Sequence, residues 1–195
     1  MRKTIAVLTL LLGLIQVSPG EIVSIPSTTW SDFWNPEFSA CLGLGDGSFI
    51  VVSDERKENG NERDELFRFN YATGGRMTGV NLPGDQDPTR LSDMEALAPD
   101  GAGGFWVMTS QSRVNDGSTD DDREKIAHFS PNGSTYVLNG VVKHFRNVIF
   151  ATYGVEFGFC QDGLAKYGGL DLEGIAYDSV NQRMWFGLRG PTLNP

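Results

Sequence analysis

The stretch LSDMEALAPDGAGGFWVMTSQSR, from Leu91 to Arg113, is matched along its length by GLDLEGIAYDSVNQRMWFGLRGP, from Gly169 to Pro191. The matched pairs are Asp93 with Asp171, Glu95 with Glu173, Ala98 with Ala176, Asp100 with Asp178 and Trp106 with Trp185. A weaker third copy, SACLGLGDGSFIVVSDE, runs from Ser39 to Glu55. A stretch that recurs along a chain indicates a fold assembled from similar modules.

Short runs of β-branched and aromatic residues alternate with turns rich in glycine and aspartate, which predicts an all-β chain. The predicted strands are Cys41–Leu44, Ser48–Ser53, Glu65–Tyr71, Met77–Leu82, Met94–Ala98, Phe105–Ser110, Glu124–Ser130, Ser134–Asn139, Leu172–Tyr177 and Arg183–Leu188. We also expect a short helix within the irregular segment 143–166. Two four-stranded antiparallel blades, with a third begun, predict a partial β-propeller.

We place the first blade at about 38–83, the second at about 91–142 and the start of the third at about 169–195. Propellers typically close a ring of about 4–8 blades, so the blades within this chain cannot close one. Two interpretations follow, of which we prefer the first. Either the missing blades belong to a longer chain, or they come from other copies of this chain.

The first twenty residues have the pattern of an export signal. Arg2 and Lys3 precede an apolar run from Ile5 to Val17, and small residues at 18–20 offer a cleavage site before Glu21. The apolar run is too short to span a bilayer comfortably. We therefore expect a signal peptide at 1–20, a domain at 21–195, a periplasmic or extracellular location and no membrane contact after cleavage. The alternative is a buried N-terminal helix.

The chain is acidic, with 25 Asp and Glu against 16 Lys and Arg and a formal net charge of −9. Such a surface repels phosphate backbones, so we expect no nucleic-acid partner. The same charge makes binding of divalent cations plausible. The two cysteines, Cys41 and Cys160, offer either a disulfide, as in many exported proteins, or free thiols.

The repeated stretches resemble a known family. DMEALAPDGAGGFWVMTSQSR, followed by an acidic loop and REKIAHF, is similar to the second blade of the bacterial DUF3616 proteins, and GLDLEGIAYDSVNQRMWFGLRGP resembles their "EGLA…IGLR-P" pattern. The resemblance covers most of 39–191, and members of the family continue beyond it. It implies an exported β-propeller, and it supplies no catalytic residues to carry over.

The meander topology predicts where polar residues meet. In a four-stranded meander, the start of the first strand, the end of the second and the start of the third lie at one edge of the sheet. We therefore expect carboxylates and arginines to collect on one face around the central channel, as candidates for binding a cation or a small polar ligand. These candidates are Asp54, Asp93, Glu95, Arg113, Asp171, Glu173 and Arg189.

Each of these residues also has a structural interpretation. Glu95 and Glu173 recur at equivalent positions, which is also typical of carboxylates that accept backbone hydrogen bonds between blades. Arg189 can pair with a neighbouring carboxylate. Trp106 and Trp185 occupy equivalent second strands, and we predict that both lie in the core.

The loop NDGSTDDDRE, at 115–124, is a candidate calcium site, with Asp116, Asp120 and Asp122 as the predicted ligands and Asp121 as a further donor. Calcium takes oxygen ligands of this kind. The spacing differs from the twelve-residue calcium loop, so a solvated loop is the alternative.

The chain carries no G-x-S-x-G motif, and its histidines, His128 and His144, have no evident nucleophile beside them in sequence. Our first hypothesis is an exported domain that binds a small polar ligand or a cation. The second is a metal-dependent hydrolase of phosphoesters or lactones, which needs only carboxylates to hold its ion. The third is a scaffolding or interaction module, so the sequence leaves open whether the protein is an enzyme.

Overall fold

A computed structural model describes residues 38–53, 66–70, 73, 75–77, 80–81, 87–112, 118, 120–153 and 170–190. The strands in these ranges are β1 (Phe38–Gly43), β2 (Ser48–Ser53), β3 (Leu66–Asn70), β4 (Arg76–Met77), β5 (Val80–Asn81), β6 (Met94–Pro99), β7 (Phe105–Thr109), β8 (Ile126–Asn132), β9 (Thr135–Val142), β10 (Asp171–Asp178) and β11 (Arg183–Gly190). Helix α1 spans Phe145–Tyr153, and a 3₁₀-helix spans Asp121–Arg123. The predicted all-β class and the short helix are confirmed.

The strands form three sheets, which we call the first, second and third in chain order. The first sheet has the order β1-β2-β3-β4, and all its pairings are antiparallel. The second has the order β5-β9-β8-β7-β6, and the third holds β10 and β11. The antiparallel meanders predicted for the two complete modules are therefore present, and the described strands do not close into a ring.

The strand predicted at Met77–Leu82 is divided between two sheets. Met77 ends β4 in the first sheet, whereas β5 pairs in parallel with β9 at the far edge of the second, with Val80 opposite Tyr136. The prediction of a single strand here is wrong, and the second sheet has five strands. The residue pattern of this segment predicts an extended conformation. Which sheet its two-residue strands join depends on which strand edge lies next to them in the fold.

One aspartate closes each of the turns between β1 and β2, between β6 and β7 and between β10 and β11. Asp46 accepts the Ser48 N–H at 3.0 Å. The Oδ1 atom of Asp100 accepts the N–H groups of Ala102 at 2.7 Å and Gly104 at 2.8 Å. Gly104 is required there, because a Cβ at this position would overlap both the Asp100 carboxylate and the carbonyl oxygen of Phe129.

The turn aspartate of the third sheet follows the same plan. The Oδ1 atom of Asp178 accepts the N–H groups of Val180 at 3.0 Å and Asn181 at 3.1 Å. Side-chain acceptors of this kind replace backbone hydrogen bonds that a tight turn leaves unmade. Asp100 and Asp178, which match in the sequence repeat, therefore have the same structural role: each accepts the backbone N–H groups of its hairpin turn.

In the two complete sheets the same aspartate also reaches the third strand. Asp46 Oδ2 lies 2.6 Å from Nη2 of Arg68 on β3, and Asp100 Oδ2 lies 2.9 Å from Nε2 of His128 on β8. These two basic side chains occupy equivalent positions in their sheets, since Arg68 pairs with Ile50 of β2 and His128 pairs with Trp106 of β7. The carboxylate thus ties the hairpin turn to the next strand.

Two apolar cores lie between the sheets. Residues of β7 alternate between them: Phe105 and Val107 face the first sheet, whereas Met108 and the half-buried Trp106 face the third. The first core holds Ile50, Val52, Leu66, Leu91, Met94, Phe105, Val107, Ala127, Phe129 and Tyr136. The second holds Ala96, Met108, Ile126, Leu170 and Leu172, with apolar side chains of α1, β10 and β11 packed against it. Each large side chain buried there contributes about 1.5–3 kcal/mol.

Neighbouring sheets contact each other mainly through β1, β6 and β10. Strand β6 contacts both β1 and β10, so these three strands, each of which begins an antiparallel hairpin, lie side by side. Helix α1 packs against the second core through Phe145, Ile149 and Phe150. Their spacing puts these three side chains on one face of the helix.

The prediction that Trp185 lies in the core is wrong, because its side chain is 59% exposed. Trp106 is half-buried, and its ring lies against that of His128 at a tilt of 30°, with the ring centroids 4.3 Å apart. The difference arises because β8 and the third sheet flank Trp106, whereas no described strand pairs with the outer edge of β11.

Cys41 is a free, exposed thiol on β1, so it is not part of a disulfide. Cys160, the other cysteine of the disulfide alternative, lies outside the described residues. Within the part of the chain that the structure describes, no helix has the length and apolarity needed to cross a membrane.

The Asp100 bond predicts an acid-sensitive contribution to stability. Burial favours a higher pKa, but hydrogen bonds from His128, Ala102 and Gly104 outweigh it and hold the pKa of Asp100 below its usual value. This contribution is therefore present above the unfolded pKa of about 3.9 and is lost as pH falls through the folded value. We expect Asp100→Asn to cost about 1–2 kcal/mol at neutral pH and to flatten the acid slope, measured by urea unfolding over a pH series.

The control is Asp87→Asn, because Asp87 bonds Thr89 in an exposed turn and ties no strand. It should leave the free energy of unfolding nearly unchanged. Equal losses in the two variants would contradict the link between turn and strand.

Candidate functional site

Polar residues gather where β6 and β10 begin. Asp93 precedes β6, Glu95 lies in it, and Asp171 and Glu173 lie at the start of β10. Arg189 lies near the end of β11, beside the start of β10. We name Glu95, Asp171, Glu173 and Arg189 the acidic edge. We name Asp93, Ser110, Ser112 and Arg123 the Asp93 network.

The Asp93 network is built around one buried carboxylate oxygen. Asp93 Oδ2 lies 2.9 Å from Nη1 of Arg123 and accepts hydrogen bonds from the hydroxyls of Ser110 and, at 3.3 Å, Ser112. Asp93 is 6% exposed and has φ 59°, in the left-handed region that aspartate tolerates better than most residues. Its charge is compensated by an arginine and by hydroxyl donors, as a buried carboxylate requires.

The network also joins two sheets. The Asp93 carbonyl accepts the Ser110 N–H at 2.9 Å, and the Ser110 carbonyl accepts the Leu172 N–H at 2.8 Å. Because Asp171 precedes Leu172, these bonds fix the start of β10 against the end of β7. The position of the acidic edge therefore depends on the Asp93 network.

A second buried group supports the same region and was missed by sequence reasoning. The side-chain amide of Gln111, with φ 60° and full burial, donates to the carbonyls of Thr109 and Lys125, both at 3.1 Å. Arg146 of α1 donates to the Gln111 carbonyl at 2.6 Å. No sequence motif connects residues this far apart, so only the folded chain reveals the contact.

The acidic edge is more open to solvent. Nη1 of Arg189 lies 2.6 Å from Glu173 Oε1 and 3.9 Å from Asp171 Oδ2, and the side chains of Arg189 and Glu173 are 58% and 38% exposed. The hydrogen bond to Glu173, and the charges of Glu173, Asp171 and Glu95, raise the pKa of Arg189. The half-buried Glu95 therefore lies within electrostatic range of this guanidinium.

The structure thus brings together five of the seven predicted ligand-binding residues: Asp93, Glu95, Asp171, Glu173 and Arg189. Asp93 is enclosed in its network, whereas the other four form the acidic edge. The two remaining candidates, Asp54 and Arg113, lie outside the described residues. The sequence also allowed Glu173 to accept a backbone hydrogen bond between sheets. In the structure its carboxylate accepts a hydrogen bond from Nη1 of Arg189.

Two of the predicted calcium ligands have partners within the chain. Asp120 caps the 3₁₀-helix by accepting the Asp122 N–H at 2.9 Å. Asp122 lies 2.7 Å from Nζ of Lys125 and 3.4 Å from Nη1 of Arg90. The third, Asp116, lies outside the described residues. The calcium site at this loop therefore stays a prediction.

A different set of donors converges nearby. One donor atom each from Asp121, Glu124 and His144 lie within 4.8 Å of one another, and His144 Nδ1 is 3.8 Å from both carboxylates. A metal ion can be bound by one imidazole and two carboxylates. The folded chain brings His144 to the 3₁₀-helix because the Phe145 N–H donates to the Glu124 carbonyl at 2.9 Å. The sequence separates these residues and gives no sign of their convergence.

The Asp93 network predicts a graded response to substitution. Asp93→Ala removes the acceptor of two hydroxyls and leaves Arg123 with the weaker ion pair to Asp120 at 3.9 Å, so we expect a loss of about 3 kcal/mol in the free energy of unfolding. Asp93→Asn keeps the size and tolerates the left-handed backbone, and it should cost less. Urea unfolding measures both. Ser112→Ala removes a hydroxyl that lies 3.3 Å from Asp93 Oδ2, 2.8 Å from Ser110 Oγ and 3.5 Å from Arg123 Nη1, and it should cost less than Asp93→Ala because the carboxylate stays. Wild-type stability in Asp93→Ala would contradict the network's structural role.

Comparison of the chain with models of known protein families and with curated proteins gives no match.

Proposed function

We propose that this chain is part of an exported β-propeller similar to the DUF3616 proteins, and that it binds a cation or a small cationic ligand at the acidic edge. Contact of β6 with both β1 and β10 supports the propeller, because the inner strands of propeller blades surround a common channel. The repeated turn aspartates support it further, since each sheet repeats the same local design.

One observation carries the choice of ligand. The carboxylates of Glu95, Asp171 and Glu173 all lie within electrostatic range of the exposed guanidinium of Arg189. The acidic edge therefore gathers three side chains that can each offer oxygen ligands to a cation. Divalent cations such as calcium take carboxylate oxygens as ligands, and Arg189 is exposed enough to swing aside when one binds.

The Asp93 network gives the acidic edge a rigid support. A binding site needs its charged groups held by residues that do not themselves move. Asp93 and Ser110 hold the start of β10 through hydrogen bonds of 2.9 and 2.8 Å. Only the exposed side chains would then rearrange on binding, which keeps the entropic cost of binding low.

The test is titration with calcium and with manganese, followed by isothermal calorimetry and thermal unfolding. Each ion that binds should stabilise the folded state by about 2.7 kcal/mol when its concentration is about 100 times its Kd. We expect Glu95→Gln and Glu173→Gln to reduce this stabilisation because each removes one charged ligand. The matched control is Asp121→Asn, which lies outside the acidic edge.

Four outcomes separate the hypotheses. Loss of the metal effect in the two glutamine variants, with Asp121→Asn unaffected, supports the acidic edge. A metal effect lost in Asp121→Asn instead moves the site to Asp121, Glu124 and His144 and overturns the proposal. Absence of any metal effect, with lower stability in both glutamine variants, favours the scaffolding module. Turnover of ester, lactone or phosphoester substrates that fails in the glutamine variants would identify the hydrolase.

A further inference from the structure

Three side chains converge where the 3₁₀-helix meets the start of α1. Asp121 begins the 3₁₀-helix, Glu124 caps its C-terminal end, and His144 directly precedes α1. His144 Nδ1 lies 3.8 Å from Asp121 Oδ1 and also 3.8 Å from Glu124 Oε2, and one donor atom from each residue lies within 4.8 Å of the others. We name these three residues the His144 cluster, which shares no member with the acidic edge.

The distances in the His144 cluster fit a shared ion better than direct hydrogen bonds. A hydrogen bond from a nitrogen to an oxygen spans about 2.7–3.2 Å, and both separations from His144 Nδ1 exceed this range. Ligand atoms held at about 2.0–2.2 Å from one zinc ion lie about 3.4 Å apart at the tetrahedral angle. Both separations exceed that value by about 0.4 Å, which small rotations of the exposed side chains of His144 and Asp121 can close.

The backbone holds the His144 cluster in place before any ion binds. The Phe145 N–H donates to the Glu124 carbonyl at 2.9 Å, and the His144 carbonyl accepts the Asn147 N–H at 2.9 Å as α1 begins. The Glu124 side chain is 5% exposed, whereas those of His144 and Asp121 are 51% and 72% exposed. An ion would therefore meet one fixed carboxylate and two side chains that can turn toward it, which limits the ordering cost of binding.

The imidazole decides which class of ion the His144 cluster prefers. Imidazole ligands suit zinc, nickel and copper, whereas sets made only of oxygen suit calcium, magnesium and manganese. The two carboxylates supply negative charge that offsets a divalent ion. Three protein ligands also leave a coordination position open, and the exposure of His144 and Asp121 gives solvent access to it.

We infer that the His144 cluster is a site for zinc or a similar ion, in which one ion joins the start of α1 to the 3₁₀-helix and keeps a solvent molecule as its remaining ligand. This site is distinct from the cation site at the acidic edge, and the inference does not rest on that proposal. The bound ion would add a second link beside the backbone hydrogen bond from Phe145 to Glu124.

Calorimetric titration of the full chain with zinc chloride tests the site. His144→Asn and Asp121→Asn should each weaken zinc binding by at least about tenfold, because each removes a ligand or its charge. Asparagine tolerates the left-handed backbone of His144, whose φ is 53°, so this variant is expected to fold. The matched control is Cys41→Ser, which should bind zinc as the unaltered chain does. Cys41 is an exposed thiol, and thiolate is another ligand that zinc prefers.

Hydrogen exchange locates the ion in the fold. Zinc should slow exchange of the backbone amides of Asn147 and Val148, which donate to the His144 carbonyl, because the ion fixes the residue that precedes α1. This slowing should be absent in His144→Asn and present in Cys41→Ser. Circular dichroism confirms that every variant is folded before it is titrated.

Two results would overturn the inference. Zinc binding that is absent, or equal to that of the unaltered chain in both His144→Asn and Asp121→Asn, would leave the three residues as an ion-pair cluster alone. Zinc binding lost in Cys41→Ser but kept in His144→Asn would place the ion at a thiol.

Calcium titration of the same variants separates this inference from the proposed function. Calcium stabilisation that survives in His144→Asn, together with loss of zinc binding, supports two separate sites. Zinc binding that depends on the His144 cluster, with no effect of calcium on any variant, supports this site and contradicts only the cation site at the acidic edge.

Discussion

The bond between the turn aspartate and the third strand is the interaction on which the sheets depend. An antiparallel sheet built from short strands has little to fix its register except its turns and its buried face. In the first and second sheets, one carboxylate holds the turn and the neighbouring strand together. It closes the hairpin and also binds a basic side chain on the next strand, Arg68 or His128. The same base lies against an aromatic ring, which links the turn to the apolar packing between sheets.

The third sheet shows what remains when the third strand is not among the described residues. Asp178 still closes its turn, and its second oxygen accepts a hydrogen bond from the Asn181 side chain at 2.7 Å. Trp185, the counterpart of Trp106, stays exposed on a strand with an open edge. Among the described residues, the third sheet therefore repeats the hairpin and its turn aspartate without a third strand.

Arg189 belongs both to the acidic edge and to β11. At the edge this guanidinium offsets part of the charge of three carboxylates, and on β11 it lies near the end of the strand. Because its side chain is 58% exposed, it can leave Glu173 at little cost in packing.

Sequence alone determined the all-β class, the hairpins and the recurrence of the turn aspartate, because alternation and turn chemistry are local properties. It also indicated that Glu95, Asp171, Glu173 and Arg189 would meet, since a meander returns its strand ends to one edge. Only the tertiary structure decided that β5 joins the second sheet, that Trp185 is exposed and that His144 approaches Glu124. These depend on which surfaces come into contact between distant segments, and a residue's identity does not specify the neighbour that covers it.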